Sequence, residues 1–338
     1  MKEVIYNEGP ESDVIISSRV RLARNLRDFP FPLKMDLKQS EEVLNRVKNV
    51  LVDMFENYEF VDIEKLNKTD LFSMVEMHLI SPEFALSKKP KGLLLSNSEN
   101  ISIMINEEDH IRIQVLDSGF QLENVWNTCL NVDNSLDNKL DIAFSEKFGY
   151  LTSCPTNVGT GMRVSNMLHL PALVISGYIN KILNVCSKLG IAVRGLYGEN
   201  SKAYGNMFQI SNQITLGLDE NEIINNVKNI VNHIIKQERI LRRELYKQNP
   251  IAMEDKLFRS FGIFSNAKVL TSEEAFKLIS DIRLGVDMGL INDIEIDKIN
   301  KIILVMQSAN VQRLSEEKLS IDEINIKRAE IVQKIIKN

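Results

Sequence analysis

Ile101-Ser102-Ile103-Met104-Ile105-Asn106-Glu107-Glu108-Asp109-His110-Ile111-Arg112-Ile113-Gln114-Val115 carries two strand signals on either side of an acidic break. Ile101 to Ile105 is a short β-rich run. Ile111, Ile113 and Val115 alternate with Arg112 and Gln114, the period of a half-buried strand. Upstream lies another apolar run, Leu93-Leu94-Leu95, and Asn97-Ser98-Glu99-Asn100 between the two has the chemistry of a hairpin turn. Spacing of this kind predicts an antiparallel sheet. Val14-Ile15-Ile16, Ile191 to Val193 and Met207 to Ile210 supply further short strands. The stretch from Ala172 to Leu189, closed by Gly190, predicts a covering helix.

Beyond about Gly217 the pattern changes. Ile223, Ile224, Val227, Ile230, Val231, Ile234 and Ile235 recur at helical spacing. Thr271 with Glu274, and Ser320 with Glu323, fit capping boxes that open later helices. Almost no strand signal remains down to Asn338. The expected fold is therefore α+β, with a sheet domain over residues 1–220 and a smaller all-helical domain over 221–338. A chain of 338 residues is long enough for about two domains.

Bulk properties narrow the function classes. The hydrophobic and charged fractions, 44% and 26%, are those of an ordinary globular protein. No apolar run approaches the roughly 20 residues that cross a bilayer. Met1 to Glu8 has neither the apolar core nor the small-residue site of a signal peptide. Cys129, Cys154 and Cys186 are too few and scattered for a disulfide framework or a zinc site, so a cytoplasmic protein with a reactive thiol is expected. A net charge of −5 argues against general affinity for nucleic acid. The basic stretch Lys236 to Lys247 interleaves Glu238 and Glu244 and reads as a solvated helix face.

Three polar clusters in the sheet region have no patterning reason to be there. In Ser17-Ser18-Arg19-Val20-Arg21, an extended backbone would project Arg19 and Arg21 from one face. Two guanidinium groups so placed could clamp a polyphosphate, or they could sit on a solvated edge strand. Asn106-Glu107-Glu108-Asp109-His110 is either a solvated turn or a set of ligands for a divalent ion. Thr152-Ser153-Cys154-Pro155-Thr156-Asn157-Val158-Gly159-Thr160-Gly161-Met162-Arg163 combines a thiol, hydroxyls, two glycines and an arginine in an expected loop. Such a loop could offer backbone N–H groups to an anion, or be only a tight turn. His110 is expected to be a structural hydrogen-bonding residue. His169 is expected to pack on a helix, and Trp126 to be either core or active-site wall.

Taken together, these clusters resemble the guanidino (phosphagen) kinase family, and within it the bacterial protein-arginine kinases of the McsB type. The resemblance rests on Ser18-Arg19-Val20-Arg21, Asn106 to Arg112, Cys154 to Thr160, Arg194-Gly195-Leu196-Tyr197-Gly198-Glu199 and Gln209-Ile210-Ser211-Asn212, in family order over residues 13 to 217. It extends through Phe258-Arg259-Ser260-Phe261-Gly262 and Ser280-Asp281-Ile282-Arg283-Leu284-Gly285. It implies that Arg19, Arg21, Arg112, Arg163 and Arg194 contact the phosphates of ATP, with Mg²⁺ as the accompanying ion. Glu108 and Glu199 would hold the substrate guanidinium, Glu108 as base and Glu199 as a second anchor. Cys154 would sit beside it, as a thiolate rather than as a covalent phosphocysteine. Free cysteine is also commonly a small buried hydrophobe.

What the resemblance implies for the substrate depends on architecture. Small-molecule guanidino kinases carry a helical domain before the catalytic one. Here the first phosphate-binding block begins near residue 17, which leaves no room for that lid. A protein-borne arginine is therefore the expected acceptor, with a free guanidine as the alternative and a non-catalytic phosphoarginine-reading adaptor as a third reading. The McsB-type carboxy-terminal domain implies a homodimer and a phosphoarginine pocket marked by Arg-Asp-x-x-Arg-Ala. The corresponding stretch is Ile324-Asn325-Ile326-Lys327-Arg328-Ala329, which keeps Arg328 and lacks the leading cation and acid, so feedback by phosphoarginine is expected to be weakened. After Glu199 the loop departs from the family at Asn200 and Lys202. The partners implied are a zinc-finger activator of the McsA type, a heat-shock repressor of the CtsR type and a Clp unfoldase.

Overall fold

The computed structural model describes residues 7–55, 57–195, 204–315 and 317–337. Ten strands and twelve α-helices lie in these residues. The first half runs β1 (Ile15–Arg24), α1 (Leu37–Met54), β2 (Tyr58–Val61), α2 (Lys68–Glu76), α3 (Pro82–Leu86), β3 (Gly92–Ser96), β4 (Ile101–Ile105), β5 (Ile111–Ser118) and α4 (Leu122–Asp137). It continues through β6 (Phe144–Ser145), β7 (Gly149–Tyr150), β8 (Met162–His169), α5 (Pro171–Ile175), α6 (Ile179–Lys188), β9 (Ile191–Gly195) and β10 (Met207–Asn212). Helices then take over entirely: α7 (Glu220–Gln248), α8 (Pro250–Asn266), α9 (Ser272–Asp287), α10 (Ile296–Val305), α11 (Ser308–Arg313) and α12 (Ile321–Lys337).

The expected antiparallel sheet is present. Eight strands pair in the order β2-β3-β4-β5-β1-β8-β10-β9, and every pair is antiparallel. Register decides what each face carries. Val20 stands opposite Val115 and Val164, and Leu22 opposite Ile113 and Met162. These side chains are buried against α4 and α7 in the largest core cluster. Because side chains alternate along a strand, Arg19 and Arg21 must project from the other face.

Among the described residues, that other face is covered only at its two ends. Toward β3 and β4, Leu93, Leu95 and Met104 pack with Met74, Phe84 and Leu79 around α2 and α3. Toward β10, Met207 joins the core of the carboxy-terminal helices, which includes Leu257, Phe276, Ile299 and Val332. An open cleft lies between the two clusters.

Several local expectations hold. Thr271 accepts a hydrogen bond from the Glu274 N–H at the start of α9, which is half of the expected box, and Ser320 and Glu323 cap α12 reciprocally. The 97–100 segment turns through a Glu99 N–H bond to the Ser96 carbonyl. Others differ. The helix expected over Ala172–Leu189 is broken into α5 and α6 at Gly177, whose φ of 73° is a left-handed conformation. His169 ends strand β8 rather than lying on a helix, and Arg163 is on that strand rather than in the loop.

The Lys236–Lys247 stretch is not wholly solvated either. Glu238 is fully buried and accepts hydrogen bonds from the Ala172 and Leu173 N–H groups, both at 2.9 Å, where α5 begins. Arg242 is buried beside it, donating to Glu238 at 2.8 Å. A helix amide pair needs an acceptor there, so an acid and its counter-ion are drawn inward. The apolar face of α7 also packs into the sheet-side core, through Ile223, Ile224, Val227 and Val231.

Candidate active site

The sheet register assembles the arginines. Arg21 lies opposite Arg163 across the β1–β8 pair, and Arg19 lies opposite Ser165. On the other side Arg21 faces Gln114, two residues from Arg112. Ser211 pairs with Ser165, and Gln209 pairs with Arg194, which carries the same face across β10 to β9. All five arginines named from the sequence therefore share one face, and all line a cleft of about 700 Å³.

Their environments differ. Arg112 donates to Glu107 at 2.6 Å. Burial opposes its charge, but Glu107, with Glu108 and Glu83, outweighs this and holds its pKa above the ordinary value. Arg163 donates to the Ser211 hydroxyl at 3.1 Å. Burial, then the positive charges of Arg112 and Arg163, lower the pKa of Arg19 to about 10. Arg21 is driven down further by burial and by Arg19, Arg112 and Arg163 together. Among the described residues, the buried Arg21 Nε–H has no acceptor. Clustered like charges with an unsatisfied buried donor are costly unless an anion completes them, so this face fits a polyanion.

The acidic break is a tight turn that gives its three acids separate positions. Asn106 sits in the left-handed region at φ 60°, which asparagine tolerates. Its side-chain amide donates to the Ser40 and Pro90 carbonyls. Glu107 is turned inward, accepting from Arg112, from the Ser81 hydroxyl at 2.5 Å and from the Glu108 N–H at 2.8 Å. Asp109 is buried and accepts from Asn25 and from the Ser153 N–H, each at 2.6 Å. His110 accepts the Leu26 N–H at Nδ1, so the ring proton is assigned to Nε2, 3.0 Å from the Pro30 carbonyl. It is structural, as expected.

Glu108 is the acid left facing the cavity. Burial, then the charges of Asp109 and Glu107, raise its pKa above the usual carboxylate range. It shares a small cavity of about 150 Å³ with Cys154, and that cavity opens between Arg21, Arg112 and Arg163. The Cys154 loop is fixed from below. Asp109 holds the Ser153 N–H, Thr152 donates to the Cys154 carbonyl at 2.8 Å, and Thr215 donates to the Thr156 and Val158 carbonyls. Gly159, at φ 113°, passes so close that a Cβ would lie 2.2 Å from the Thr215 carbonyl oxygen. Cys154 Sγ is 3.0 Å from Thr156 Oγ1, and Cys154 is partly exposed whereas Cys129 and Cys186 are buried.

Seven of the eight residues singled out from the sequence thus converge: Arg19, Arg21, Arg112, Arg163, Arg194, Glu108 and Cys154. Glu199 lies outside the described residues, as does Lys202. Arg328 does not line the cleft. It is buried rather than exposed, and donates to the Met306 and Leu270 carbonyls, Asn325 and Ser308. Trp126 belongs to the core beneath the sheet.

Sequence reasoning left Asp109 without a role, although its place in the acidic block marked it. It missed His78 and Ser81 altogether. His78 lines the larger cleft in the left-handed region at φ 59°, with its pKa lowered to about 4 by burial and by Arg19. A histidine in an ordinary helix-to-loop stretch offers no pattern that would reveal this. Among the described residues no group of three or more His, Cys, Asp or Glu is arranged to hold a metal ion, and no helix is long and apolar enough to cross a membrane.

Residues 40–241 match the ATP:guanido phosphotransferase, C-terminal catalytic domain, and residues 250–338 match the protein-arginine kinase McsB C-terminal domain. The protein-arginine kinase of Halothermothrix orenii is 46% identical over 330 residues, which are 97% of this chain and 95% of that protein. The protein-arginine kinase of Clostridium acetobutylicum is 42% identical over 332 residues, 97% of this chain and 98% of that one. Among solved structures, the duplicated taurocyamine kinase from Schistosoma mansoni superposes with a TM-score of 0.64 at 27% identity, over 68% of this chain and 34% of that one. Lombricine kinase superposes with a TM-score of 0.61 at 22% identity, over 72% of this chain and 70% of that one, a likeness of fold.

Proposed function

We propose, from a chain that belongs to the ATP:guanido phosphotransferases and carries the protein-arginine kinase C-terminal domain, that it transfers the γ-phosphate of ATP to arginine side chains of other proteins. The observation that carries this reading is the juxtaposition of the five-arginine face with the small cavity holding Glu108 and Cys154. The arginine face takes the nucleotide phosphates. The small cavity is sized and charged for a guanidinium.

Phosphoryl transfer spreads negative charge over the γ-phosphate oxygens, and a protein helps mainly by positioning and electrostatic stabilisation. Arg21 and Arg163, side by side, would hold those oxygens in place. Mg²⁺ would enter with the nucleotide and add counter-charge. The acceptor guanidinium is cationic and a poor nucleophile. Glu108, forked onto it, would orient one nitrogen toward phosphorus and receive the proton that nitrogen loses. The N–P bond forms as the bond from phosphorus to the β–γ bridging oxygen breaks, and ADP leaves. Cys154, beside the cavity, would contact the guanidinium electrostatically. Glu199 would supply the second carboxylate.

We further propose that the protein works as a cytoplasmic homodimer in stress response and protein quality control, marking substrates for a Clp-type unfoldase. An activator of the McsA type and a heat-shock repressor of the CtsR type fit as partners. These readings are supported by resemblance to the protein-arginine kinases.

The test is a kinase assay with ATP-Mg²⁺ and, separately, an unstructured arginine-rich protein and free arginine. Acid-labile phosphate is read by mass spectrometry under mild conditions. Label on protein arginine that is lost in Glu108→Ala supports the reading. Label on free arginine alone would make this a small-guanidine kinase. No label on either, even with an activator, would leave only a non-catalytic adaptor.

A further inference from the structure

Helix α2 ends at Glu76, where the catalytic region meets the carboxy-terminal helices. The Glu76 carboxylate accepts the backbone N–H groups of Ala309, at 2.9 Å, and Asn310, at 2.8 Å, and so caps α11 from another part of the chain. The Glu76 carbonyl in turn accepts from the Gln307 amide at 3.2 Å. One turn earlier, Ser73 bonds Asn310 at 2.5 Å, and Asp70 lies 3.7 Å from Arg313. This joint is dense, charge-assisted and largely buried.

Directly after Glu76 the chain becomes a wall of the nucleotide cleft. Residues 77–81 have no α-helical or strand structure. The segment is held at its far end by Ser81, which caps α3 and donates to Glu107. In the middle, His78 sits in the left-handed region with its carbonyl bonded to Gln114 at 2.6 Å. A non-glycine residue keeps that conformation only where its surroundings fix it. Glu76, His78, Ser81 and Gln307 all line the same cleft as Arg19.

We infer that Glu76 is a positioning residue through which the carboxy-terminal helices set the shape of the nucleotide cleft. The inference rests on the reading that the arginine face binds nucleotide. Its physical content is simple. The segment is tied to the core through Met77, Leu79 and Ile80, to Gln114 and to Ser81, and the tie at Glu76 is the one that belongs to the helical region. Loosening that tie is expected to let the wall that carries His78 shift away from Arg19. Cys154 sits in the adjoining cavity, which the 77–81 segment does not line, while Glu108 lines both spaces.

The experiment uses the full chain and Glu76→Gln, whose amide can accept one of the two N–H bonds but confronts the other with a donor. Binding of ADP is measured by calorimetry, and backbone hydrogen exchange over 77–81 is measured without nucleotide. Glu76→Gln is expected to bind ADP about tenfold more weakly, to raise KM for ATP similarly and to change kcat and the KM for arginine less. Exchange over 77–81 is expected to rise while the sheet core stays protected. Gln307→Ala, a milder lesion on the helical side of the joint, should shift ADP affinity in the same direction. Unchanged ADP affinity and unchanged exchange in a folded Glu76→Gln would overturn the inference. Faster exchange with unchanged affinity would also overturn it, since the joint would then be structural only. Failure of the wild-type chain to bind ADP would overturn the nucleotide reading itself, and the inference with it.

Discussion

Arg21 on β1 lies directly opposite Arg163 on β8, two guanidinium groups paired across an antiparallel register where opposite charges would be stabilising. The arrangement costs stability in the empty cleft, because burial and neighbouring cations both disfavour the Arg21 charge. An anion reverses that cost. Arg21→Gln should therefore leave the nucleotide-free protein as stable as the wild type or more so, while weakening ADP binding. Charge-assisted hydrogen bonds contribute about 1.5–3 kcal/mol, so the loss should be roughly tenfold to a hundredfold. Thermal melts and calorimetric titration with ADP, run side by side, check both halves. Parallel losses in stability and affinity would contradict it.

Glu108 predicts the acid limb of the rate profile. Burial and the charges of Asp109 and Glu107 raise its pKa, and the base is competent only when deprotonated. Activity should then fall as pH drops through a value above the ordinary glutamate range near 4.3. Glu108→Gln should lower kcat by about 10²–10⁴-fold and abolish that limb. Single-turnover rates over a pH series are the measurement.

Cys154 is the accessible thiol among the three, since Cys129 and Cys186 are buried and burial pushes both of those thiols up in pKa. A brief treatment of the native protein with iodoacetamide should label Cys154 first, with loss of activity. Thiolate character governs the rate of such alkylation. A guanidine substrate with ADP should slow the labelling, as the small cavity fills. Peptide mapping distinguishes the sites, and preferential labelling of Cys129 would be incompatible with the structure.

Much of this site was legible because strand periodicity and residue chemistry coincide in it. Once β1 is extended, Arg19 and Arg21 must share a face, and the Arg112–Gln114 alternation places Arg112 on a strand of the same kind. Pairing order was not legible. Nothing in the local pattern says that β8 lies beside β1, so the meeting of Arg21 with Arg163 is a tertiary fact. The Cys154 loop was recognisable by its turn residues, yet Arg163 fell within the expected loop, because Gly161 lets the chain enter a strand two residues earlier than its composition suggests. Glu238 and Arg242 read as surface charges for the same reason. A buried acid that caps a distant helix leaves no trace in helical periodicity.

Arg328 is expected to matter for folding. Its guanidinium donates to Met306, Leu270, Asn325 and Ser308, tying α12 to the ends of α10 and α11 and to the segment before α9. Arg328→Met would leave several buried acceptors unsatisfied and should cost about 3 kcal/mol or more. Differential scanning calorimetry would read this as a lowered Tm. With those donors committed to protein acceptors, and with Ile324 and Asn325 in place of a cation and an acid, millimolar phosphoarginine should leave the wild-type Tm unchanged.

His110 gives stability a specific pH dependence. Burial lowers its folded pKa to about 4, and the hydrogen bond from the Leu26 N–H requires an unprotonated Nδ1. In the unfolded chain the ring titrates near 6.5. Between these values the unfolded state binds the extra proton, so this contribution is fully present above about pH 6.5 and is lost as pH falls toward 4. Each such proton changes stability by about 1.4 kcal/mol per pH unit. His110→Gln removes the titration together with the ring's packing against Phe29 and Phe31. Its stability deficit relative to wild type should therefore be largest at pH 7 and shrink by about that slope at acid pH. Urea unfolding of both proteins at pH 7, 6 and 5 measures the difference directly, and a deficit independent of pH would show that His110 is not held neutral.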